Sequence, residues 1–453
     1  MQPLPKEFEE QMKRLLGEAG FFAYLDALNQ PYTRALRVNL LLRPDGTPPC
    51  PIEGLGAPVP WAKGAYFVEG DARPGLSPLH EGGLFYMQEP SALTAVTALD
   101  PQPGERVLDL CAAPGGKSTQ IAALMAGRGL LCCNEPIPSR AQILSRNIER
   151  MGVRNAVVLS AMPDALAPCF PAFFDRILVD APCSGEGMFR RQPEARDEWD
   201  ADAPRRCADR QMEILAQAAK MLRPGGTMVY STCTFNDTEN EGVLRRFLAL
   251  HPEFSLVPFA LPGLPEAKDG YLHLYPHEMR GEGHFVSRLK KADGADEADA
   301  PVQAAPQRKA PARAAAKGKA PASIALPDVF SDAFAPERLY TAGDALWMLP
   351  EGISIERLSG LRVLRTGLLL AHAEGKRSEP DHALAMALRP EEAARTAILT
   401  QTQALAYQAG ETLSLGDLPG GYTLLCCEGV SLGWGKQAGG LMKNHYPKGL
   451  RRR

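Results

Sequence analysis

One short stretch constrains this chain more than any other: an apolar run that meets a loop of small residues and then a helical pattern. Residues 107–110 alternate in a way that predicts a short buried strand. Residues 111–117, CAAPGGK, form the loop, and the helical pattern after it ends at Gly127. In such a unit the backbone N–H groups approach a ligand closely, and the helix N-terminus favours negative charge. The stretch therefore predicts a parallel α/β domain that binds a nucleotide-like molecule.

The loop also narrows the choice of ligand. Its end, Gly-Lys-Ser, is similar to the end of a phosphate-binding P-loop, but that pattern needs a glycine five positions before Gly116, where the chain has Cys111. The dinucleotide pattern G-x-G-x-x-G is absent as well. Glu135 follows the next apolar run, and a carboxylate at that point can hold both hydroxyls of a ribose. An adenosine-type ligand is what remains, although spacing alone would favour an ordinary βα turn with a surface glutamate.

Two further motifs follow apolar runs downstream, DAPCSG at 180–185 and STCT at 231–234. Together with CAAPGGK they resemble the RNA cytosine-5 methyltransferase family (NOL1/NOP2/Sun). The resemblance implies a class I methyltransferase fold that binds S-adenosylmethionine and forms 5-methylcytosine in RNA. It also implies which residues bind the cofactor: Cys111, Ala112, Ala113, Pro114, Gly115, Gly116, Lys117, Glu135 and Asp180.

The chemistry of cytosine explains why such a site needs cysteine. Carbon C5 is a poor nucleophile until a thiolate adds to C6 and converts C5 into an enamine-like carbon. The resemblance implies that Cys233 is this nucleophile, that Cys183 assists product release, and that Asp180 hydrogen-bonds the ring N3 or the amino edge. A free cysteine has a pKa near ~8.5, so we expect Cys233 to need help in forming a thiolate. Lys117 is a candidate for that help.

The composition limits the classes of protein to which this chain can belong. A chain with 45% hydrophobic and 23% charged residues has the composition of a globular protein. Its ten cysteines include no C-x-x-C pair, which argues against a zinc ribbon or a disulfide framework. With a net charge of −3, any RNA-binding surface must be a local patch. We see no signal sequence and no apolar run of membrane length, and expect a cytoplasmic monomer without metal or membrane partners.

Residues 1–95 are predicted to form an α+β RNA-recognition domain. A helical pattern places four apolar residues on one face: Phe8, Met12, Leu15 and Leu16. A strand pattern follows around residues 36–40. On the residues alone, Arg34 and Arg37 favour a solvated strand face over phosphate contacts. The segments RALRVN and FYMQEPSAL resemble the RNA-recognition entry of the family and favour a binding role.

Residues 96–291 are predicted to form the catalytic domain, a doubly wound, Rossmann-like sheet. Its parallel strands are expected at 107–110, 130–134, 156–159, 176–180 and 227–231, with a late antiparallel strand at 281–289. The candidate site residues Cys111, Glu135, Asp180 and Cys233 all fall at strand ends, on the edge where such sheets bind ligands. Helices are expected at about 139–151 and 204–222, and Asn236 with Glu239 is similar to a capping pair.

The rest of the chain is predicted to hold a linker and two small domains. Residues 292–323, rich in Ala and Pro, are typical of a flexible linker. An α+β domain is expected at 324–390 and a PUA-like RNA-binding domain at 391–453, with a hairpin over 421–435. The last segments, GWGKQ and KNHYPKGLR, resemble the RsmF type of bacterial ribosomal RNA methyltransferase. In the basic tail, Tyr446 lies among lysines and arginines, a combination that suits RNA.

The substrate that these patterns favour is 16S rRNA or the small ribosomal subunit, because recognition domains flank the core on both sides. A tRNA substrate is the first alternative. A catalytically silent RNA-binding assembly factor is the second, and the intact Cys183 and Cys233 argue against it.

Overall fold

The computed structural model describes residues 3–294, 329, 336–374 and 377–452. Apart from residues 292–294, the linker predicted at 292–323 lies outside the described residues. In the described part of the chain, no helix has the length and apolar character needed to cross a membrane.

The N-terminal unit combines one long helix with a small antiparallel sheet. Helix α1 spans Lys6–Leu28, and the sheet has the order β2-β3-β1-β4. Its strands are β1 (Arg34–Val38), β2 (Leu55–Pro58), β3 (Ala65–Val68) and β4 (Phe85–Gln88), with the short helix α2 (Pro78–Glu81) before β4. Leu36 and Val38 are buried, as the strand pattern predicts.

The prediction of the apolar face of α1 is only partly confirmed. Phe8 and Met12 are buried, but Leu15 is 38% exposed. The helix is interrupted at Gly17, where φ is 70° and ψ is 172°, within one turn of Leu15. The buried face resumes beyond this break at Phe21.

The prediction that Arg34 and Arg37 lie on a solvated strand face is wrong. Arg37 is 1% exposed, and its Nη2 donates to the Gly116 carbonyl at 3.2 Å and to Thr119 Oγ1 at 2.8 Å. Arg34 Nη1 donates to the Ala72 carbonyl at 2.8 Å. Arg37 is therefore buried against the central α/β unit, whereas Arg34 is half-buried and binds backbone carbonyls of its own N-terminal unit.

Within the described residues, a nine-stranded sheet forms the centre of the molecule. Its order is β10-β12-β9-β8-β5-β6-β7-β15, where β15 is Val363–Thr366, and β11 pairs with β12. Five strands are parallel: β5 (Arg106–Asp109), β6 (Leu130–Asn134), β7 (Ala156–Leu159), β8 (Phe174–Asp180) and β9 (Leu222–Thr232). The antiparallel strands on the β9 side are β10 (Phe254–Leu256), β11 (Tyr271–Leu274) and β12 (His284–Lys291). This is the predicted doubly wound sheet, and the late antiparallel strand is confirmed.

Helices cover both faces of this sheet and enclose two apolar cores. They are α3 (Thr94–Leu99), α4 (Gly116–Leu124), α5 (Pro138–Arg150), α6 (Pro163–Leu166), α7 (Glu194–Glu198), α8 (Ala203–Met221) and α9 (Glu241–Leu250). The two long predicted helices are confirmed as α5 and α8. The predicted capping pair is wrong, because α9 begins at Glu241 after Asn240. Asn236 Oδ1 instead accepts from the Glu239 N–H at 2.9 Å in the turn before the helix.

Two further four-stranded sheets follow. The first has the order β13-β14-β16-β17, from β13 (Leu339–Ala342), β14 (Ala345–Met348), β16 (Leu368–Glu374) and β17 (Arg377–Pro380), and is followed by α10 (His382–Ala387). The second has the order β18-β19-β20-β21, from β18 (Thr396–Ile398), β19 (Gly421–Cys427), β20 (Val430–Ala438) and β21 (Leu441–Asn444), with α11 (Gln401–Ala409) after β18. The predicted hairpin is confirmed as β19 and β20.

One strand of the C-terminal half belongs to the central sheet. Strand β15 (Val363–Thr366) pairs antiparallel with β7. Its Arg365 is 4% exposed and forms an ion pair with Glu149 on α5. Residues 324–390 therefore include a strand of the catalytic sheet, which the sequence patterns do not predict.

The last sheet packs on the N-terminal unit, and the tail residues hold it there. One apolar core contains Leu36 and Phe85 from the first sheet and Leu425 from the last. Arg452 Nη1 donates to the Leu76 carbonyl at 2.6 Å. Tyr446 is 3% exposed, so it is not free to stack on RNA as the tail pattern suggests.

Candidate active site

The predicted site residues meet in one cavity at the carboxyl ends of the parallel strands. The cavity has a volume of about 1000 Å³. Six of the predicted residues line it: Cys111, Ala113, Glu135, Asp180, Cys183 and Cys233. Ala112, Pro114, Gly115, Gly116 and Lys117 are not among its lining residues, because they form the turn and the first helical residues beside it.

Helix α5 holds the loop between β5 and α4 in place. Asn147 Nδ2 donates to the Pro114 carbonyl at 2.9 Å, and Arg140 Nη2 donates to the Ala113 carbonyl at 3.2 Å. Gly115 has a φ of 113°, and a Cβ there would lie 3.2 Å from Leu144 Cδ1. The glycine therefore permits both the left-handed backbone and the close contact with α5.

A buried carboxylate beneath this loop was missed in the sequence. Asp109, at the end of β5, is fully buried, and its Oδ2 accepts from Ser118 Oγ at 2.6 Å. Burial raises the pKa of Asp109 to about 7, although the hydrogen bond from Ser118 opposes this shift. The only available signal was a polar residue closing an otherwise apolar strand.

Glu135 lies at the end of β6 and is 2% exposed. Its Oε1 accepts from the Ile137 N–H at 3.0 Å, and Arg140 Nη1 lies 3.3 Å from its Oε2. These two contacts fix the orientation of a carboxylate that lines the cavity.

Asp180, at the end of β8, is surrounded by donors from three elements. Lys117 Nζ donates to its Oδ2 at 2.8 Å, and Ser231 Oγ donates to its Oδ1 at 2.8 Å. His284 Nε2 lies 3.6 Å from Oδ1. Burial alone would raise the pKa of Asp180, but Lys117 and His284 outweigh it and hold the pKa well below its usual range. Asp180 is therefore an ionised carboxylate at the wall of the cavity.

The two predicted cysteines face each other beside this carboxylate. Cys183 and Cys233 follow β8 and β9, and their Sγ atoms are 3.2 Å apart. The hydrogen bond to Cys233, together with burial, raises the pKa of the Cys183 thiol well above its ordinary value. Cys183 thus keeps its proton and can donate it toward the sulfur of Cys233. The charge on Lys117 interacts with Cys233 as well as with Asp180. The structure thus locates Lys117 within electrostatic range of both side chains, a position that the sequence alone does not indicate.

A polar network behind the cavity holds the loop that bears Cys183. Glu239 accepts from the Ser184 N–H at 3.0 Å and from Gln211 Nε2 at 2.9 Å, and it also contacts Ser184 Oγ. Asn236 Nδ2 donates to the same carboxylate at 2.8 Å. Asn236 and Glu239, interpreted from sequence as a helix cap, are therefore part of the support of the active-site loop.

Comparison with known families identifies each part of the chain. The model of the N-terminal domain of 16S rRNA methyltransferase RsmF matches residues 4–90, and the model of 16S rRNA methyltransferase RsmB/F matches residues 96–290. The model of the RsmF first C-terminal domain matches residues 327–388, and the model of the RsmF PUA domain matches residues 395–452. The chain is 34% identical to ribosomal RNA small subunit methyltransferase F of Erwinia tasmaniensis, covering 98% of this chain and 96% of that one. The chain belongs to the RsmF family. The same protein from Enterobacter sp. (strain 638) is 35% identical over 98% of this chain and 95% of its own.

Solved structures confirm the Rossmann-like fold of this RsmF family member. A methyltransferase homologue from Pyrococcus horikoshii is 30% identical, with a TM-score of 0.54, over 63% of this chain and 95% of that one. NSun6 from Pyrococcus horikoshii, solved with SFG, has a TM-score of 0.54 at 22% identity over 64% of this chain and 99% of its own. The family models and the relatives confirm the resemblance drawn from the three motifs.

Proposed function

We propose that this protein methylates carbon C5 of a cytosine in 16S rRNA, with S-adenosylmethionine as methyl donor and a covalent bond between Cys233 and C6. The observation that carries the proposal is the pair of sulfurs 3.2 Å apart in the same cavity as the ionised Asp180. The relatives that cover almost the whole chain are named small subunit methyltransferases, which supports rRNA as the substrate.

The residues present fit the cofactor. A cavity of about 1000 Å³ lies at the upper end of the range of small-molecule sites, roughly 300–1,000 Å³, and gives room for a cofactor beside a nucleobase. Glu135 presents a fixed carboxylate for the ribose hydroxyls, while Cys111 and Ala113 line the same side. When bound, S-adenosylmethionine supplies the methyl group. The loop of residues 111–117 and Asp180 complete the proposed cofactor site.

Asp180 orients the base. Because it is ionised, it accepts a hydrogen bond from the 4-amino group of cytosine rather than donating one. The target base must leave its stack to reach the cavity, at a cost of a few kcal/mol that is smaller for a single-stranded base.

The two cysteines divide the covalent steps. As a thiolate, Cys233 adds to C6 and makes C5 nucleophilic, with the Cys183 Sγ 3.2 Å from its sulfur. After methyl transfer the C5 proton passes to water, the C5–C6 double bond re-forms, and the bond between C6 and sulfur breaks to release the Cys233 thiolate. Cys183 donates its S–H toward the departing Cys233 sulfur and so assists release.

The flanking domains are proposed to bind the RNA. We assign RNA recognition to residues 1–95, a supporting α+β role to 324–390, and RNA binding to the PUA-like unit at 391–453. Exposed Lys443 and Lys448 of the tail remain available for phosphate. The partner is then rRNA or the small ribosomal subunit, and the protein acts as a cytoplasmic monomer.

Bisulfite sequencing of rRNA and tRNA from a deletion strain tests the proposal. We expect one or more 5-methylcytosines to disappear from 16S rRNA, to return with the wild-type gene, and to stay absent with Cys233→Ala. Loss from tRNA alone would replace the proposed substrate. Restoration by Cys233→Ala would reject the covalent mechanism and favour the non-catalytic assembly role.

A further inference from the structure

A histidine that no sequence motif indicates lies behind the proposed catalytic carboxylate. His284 is the first residue of β12 and is 3% exposed. In the antiparallel register Phe285 is opposite Thr232, so His284 lies at the level of the adjoining Cys233. His284 does not line the cavity, so it can affect the substrate only through another residue that does.

The acceptor next to His284 is Asp180. The distance from His284 Nε2 to Asp180 Oδ1 is 3.6 Å, and Nε2 has no hydrogen-bond partner among the described residues. A buried polar atom without a partner is unfavourable. A shift of roughly 0.7 Å would bring these atoms to an ordinary hydrogen-bond distance near 2.9 Å. His284 therefore lies within a small shift of a hydrogen bond to Asp180.

Counting lone pairs shows what this contact does. Each carboxylate oxygen accepts about two hydrogen bonds. Ser231 Oγ occupies one position on Asp180 Oδ1 and Lys117 Nζ one on Oδ2. A hydrogen bond from His284 would use the second acceptor position of Asp180 Oδ1. The second acceptor position of Oδ2 then remains for the amino group of the base.

We propose that His284 is a positioning residue that fixes the Asp180 carboxylate and thereby aligns the cytosine amino edge. The inference rests on the proposed function. Much of the affinity for RNA comes from phosphate contacts, which His284 does not touch. Loss of the contact between His284 and Asp180 therefore lowers kcat rather than raising KM, and misalignment of a reacting group by about 1 Å can cost on the order of 100-fold.

Three variants of the full-length protein test this with a 16S rRNA transcript and labelled S-adenosylmethionine. His284→Phe keeps the ring but cannot donate, and we expect kcat to fall about 10- to 100-fold with KM within about twofold. His284→Gln places an N–H near the position of Nε2 and should recover most of the rate, whereas Asp180→Asn should be severely impaired. His273→Gln on the neighbouring β11 is the matched control, since His273 is bound to Glu241 at 2.6 Å, and should keep the wild-type rate.

A double variant separates positioning from a structural role. His284→Phe combined with Asp180→Asn should be no slower than Asp180→Asn alone, because His284 acts through Asp180. Additive losses, failure of His284→Gln to recover, or a wild-type kcat in His284→Phe would overturn the inference. A far-UV circular dichroism spectrum like that of the wild type verifies that each variant is folded. Absence of methylation by the wild-type protein would reject the proposed function instead.

Discussion

Removing one partner of the ion pair between Lys117 and Asp180 should cost much more stability than breaking a surface pair of the same length. Their side chains are 13% and 27% exposed, and the N–O distance is 2.8 Å. At an effective dielectric constant of 20, Coulomb attraction at this distance is about 6 kcal/mol, before desolvation is subtracted. Breaking a buried pair from one side costs about 3–5 kcal/mol. Since Asp180 is partly open to the cavity, we expect Lys117→Met to lower the free energy of unfolding by about 3 kcal/mol at pH 7.5.

The effect should depend on pH in a defined direction. In the wild type the pKa of Asp180 is lowered, so its stabilising contribution is present above the unfolded value near ~3.9 and is lost as pH falls through the folded value. In Lys117→Met the carboxylate loses its cation and its pKa rises. Protonation then relieves the penalty, and the difference from wild type should shrink between pH 7.5 and pH 5.

Urea unfolding at both pH values measures these differences, with Arg245→Met as the control. The pair of Arg245 with Asp237 has the same 2.8 Å distance, but its side chains are 65% and 58% exposed, so we expect no measurable change. Adding Asp180→Asn to Lys117→Met should cost little more than Lys117→Met alone. An unchanged midpoint for Lys117→Met, or a loss equal to that of Arg245→Met, would refute the reasoning.

Four other predictions follow from the same geometry. Cys233→Ala should form no denaturation-resistant RNA adduct, whereas Cys183→Ala should accumulate one with cofactor present, and the double variant should form none; a denaturing gel with labelled RNA reads this out. Mild oxidation with diamide should join Cys183 to Cys233, seen as a loss of activity that dithiothreitol reverses and that mass spectrometry assigns to this pair. By calorimetry, Glu135→Ala should lose about 1.5–3 kcal/mol of S-adenosylmethionine binding, while Glu198→Ala, at the other side of the cavity, should lose none. In urea unfolding, Arg365→Ala should lower the free energy of unfolding by about 3 kcal/mol, because it leaves the half-buried Glu149 without its cation.

The site could be predicted because parallel strands bring their carboxyl ends to one edge. Residues 130–134 and 156–159 form strands at the predicted bounds, since buried parallel strands have continuous apolar runs that a sequence shows directly. Once the strands are assigned, Glu135, Asp180 and Cys233 must lie near one another, and they do. The position of these residues does not by itself indicate a reaction, and the proposed methyl transfer comes from the resemblance of the three motifs.

The features that were missed depend on contacts between distant segments. Arg37 has the pattern of an exposed strand residue, and only the packing of α4 over the strand buries it. Strand β15 is separated from its partner β7 by about two hundred residues, so no local pattern links them. His284 lies near Asp180 only because β12 pairs with β9. For Tyr446 the sequence suggests exposure where the structure shows burial. An aromatic residue in a basic tail is typical of RNA binding, but the Tyr446 ring packs against Tyr407.

Arg37 suggests how RNA recognition and chemistry are connected. Burial lowers the pKa of this arginine to about 10, so it remains charged at neutral pH. It binds the carbonyl of Gly116 and the hydroxyl of Thr119, in the first turn of the helix that carries Lys117. Lys117 in turn holds Asp180. RNA bound to the N-terminal domain, as proposed, is therefore tied through one buried side chain and one helical turn to the carboxylate that orients the base.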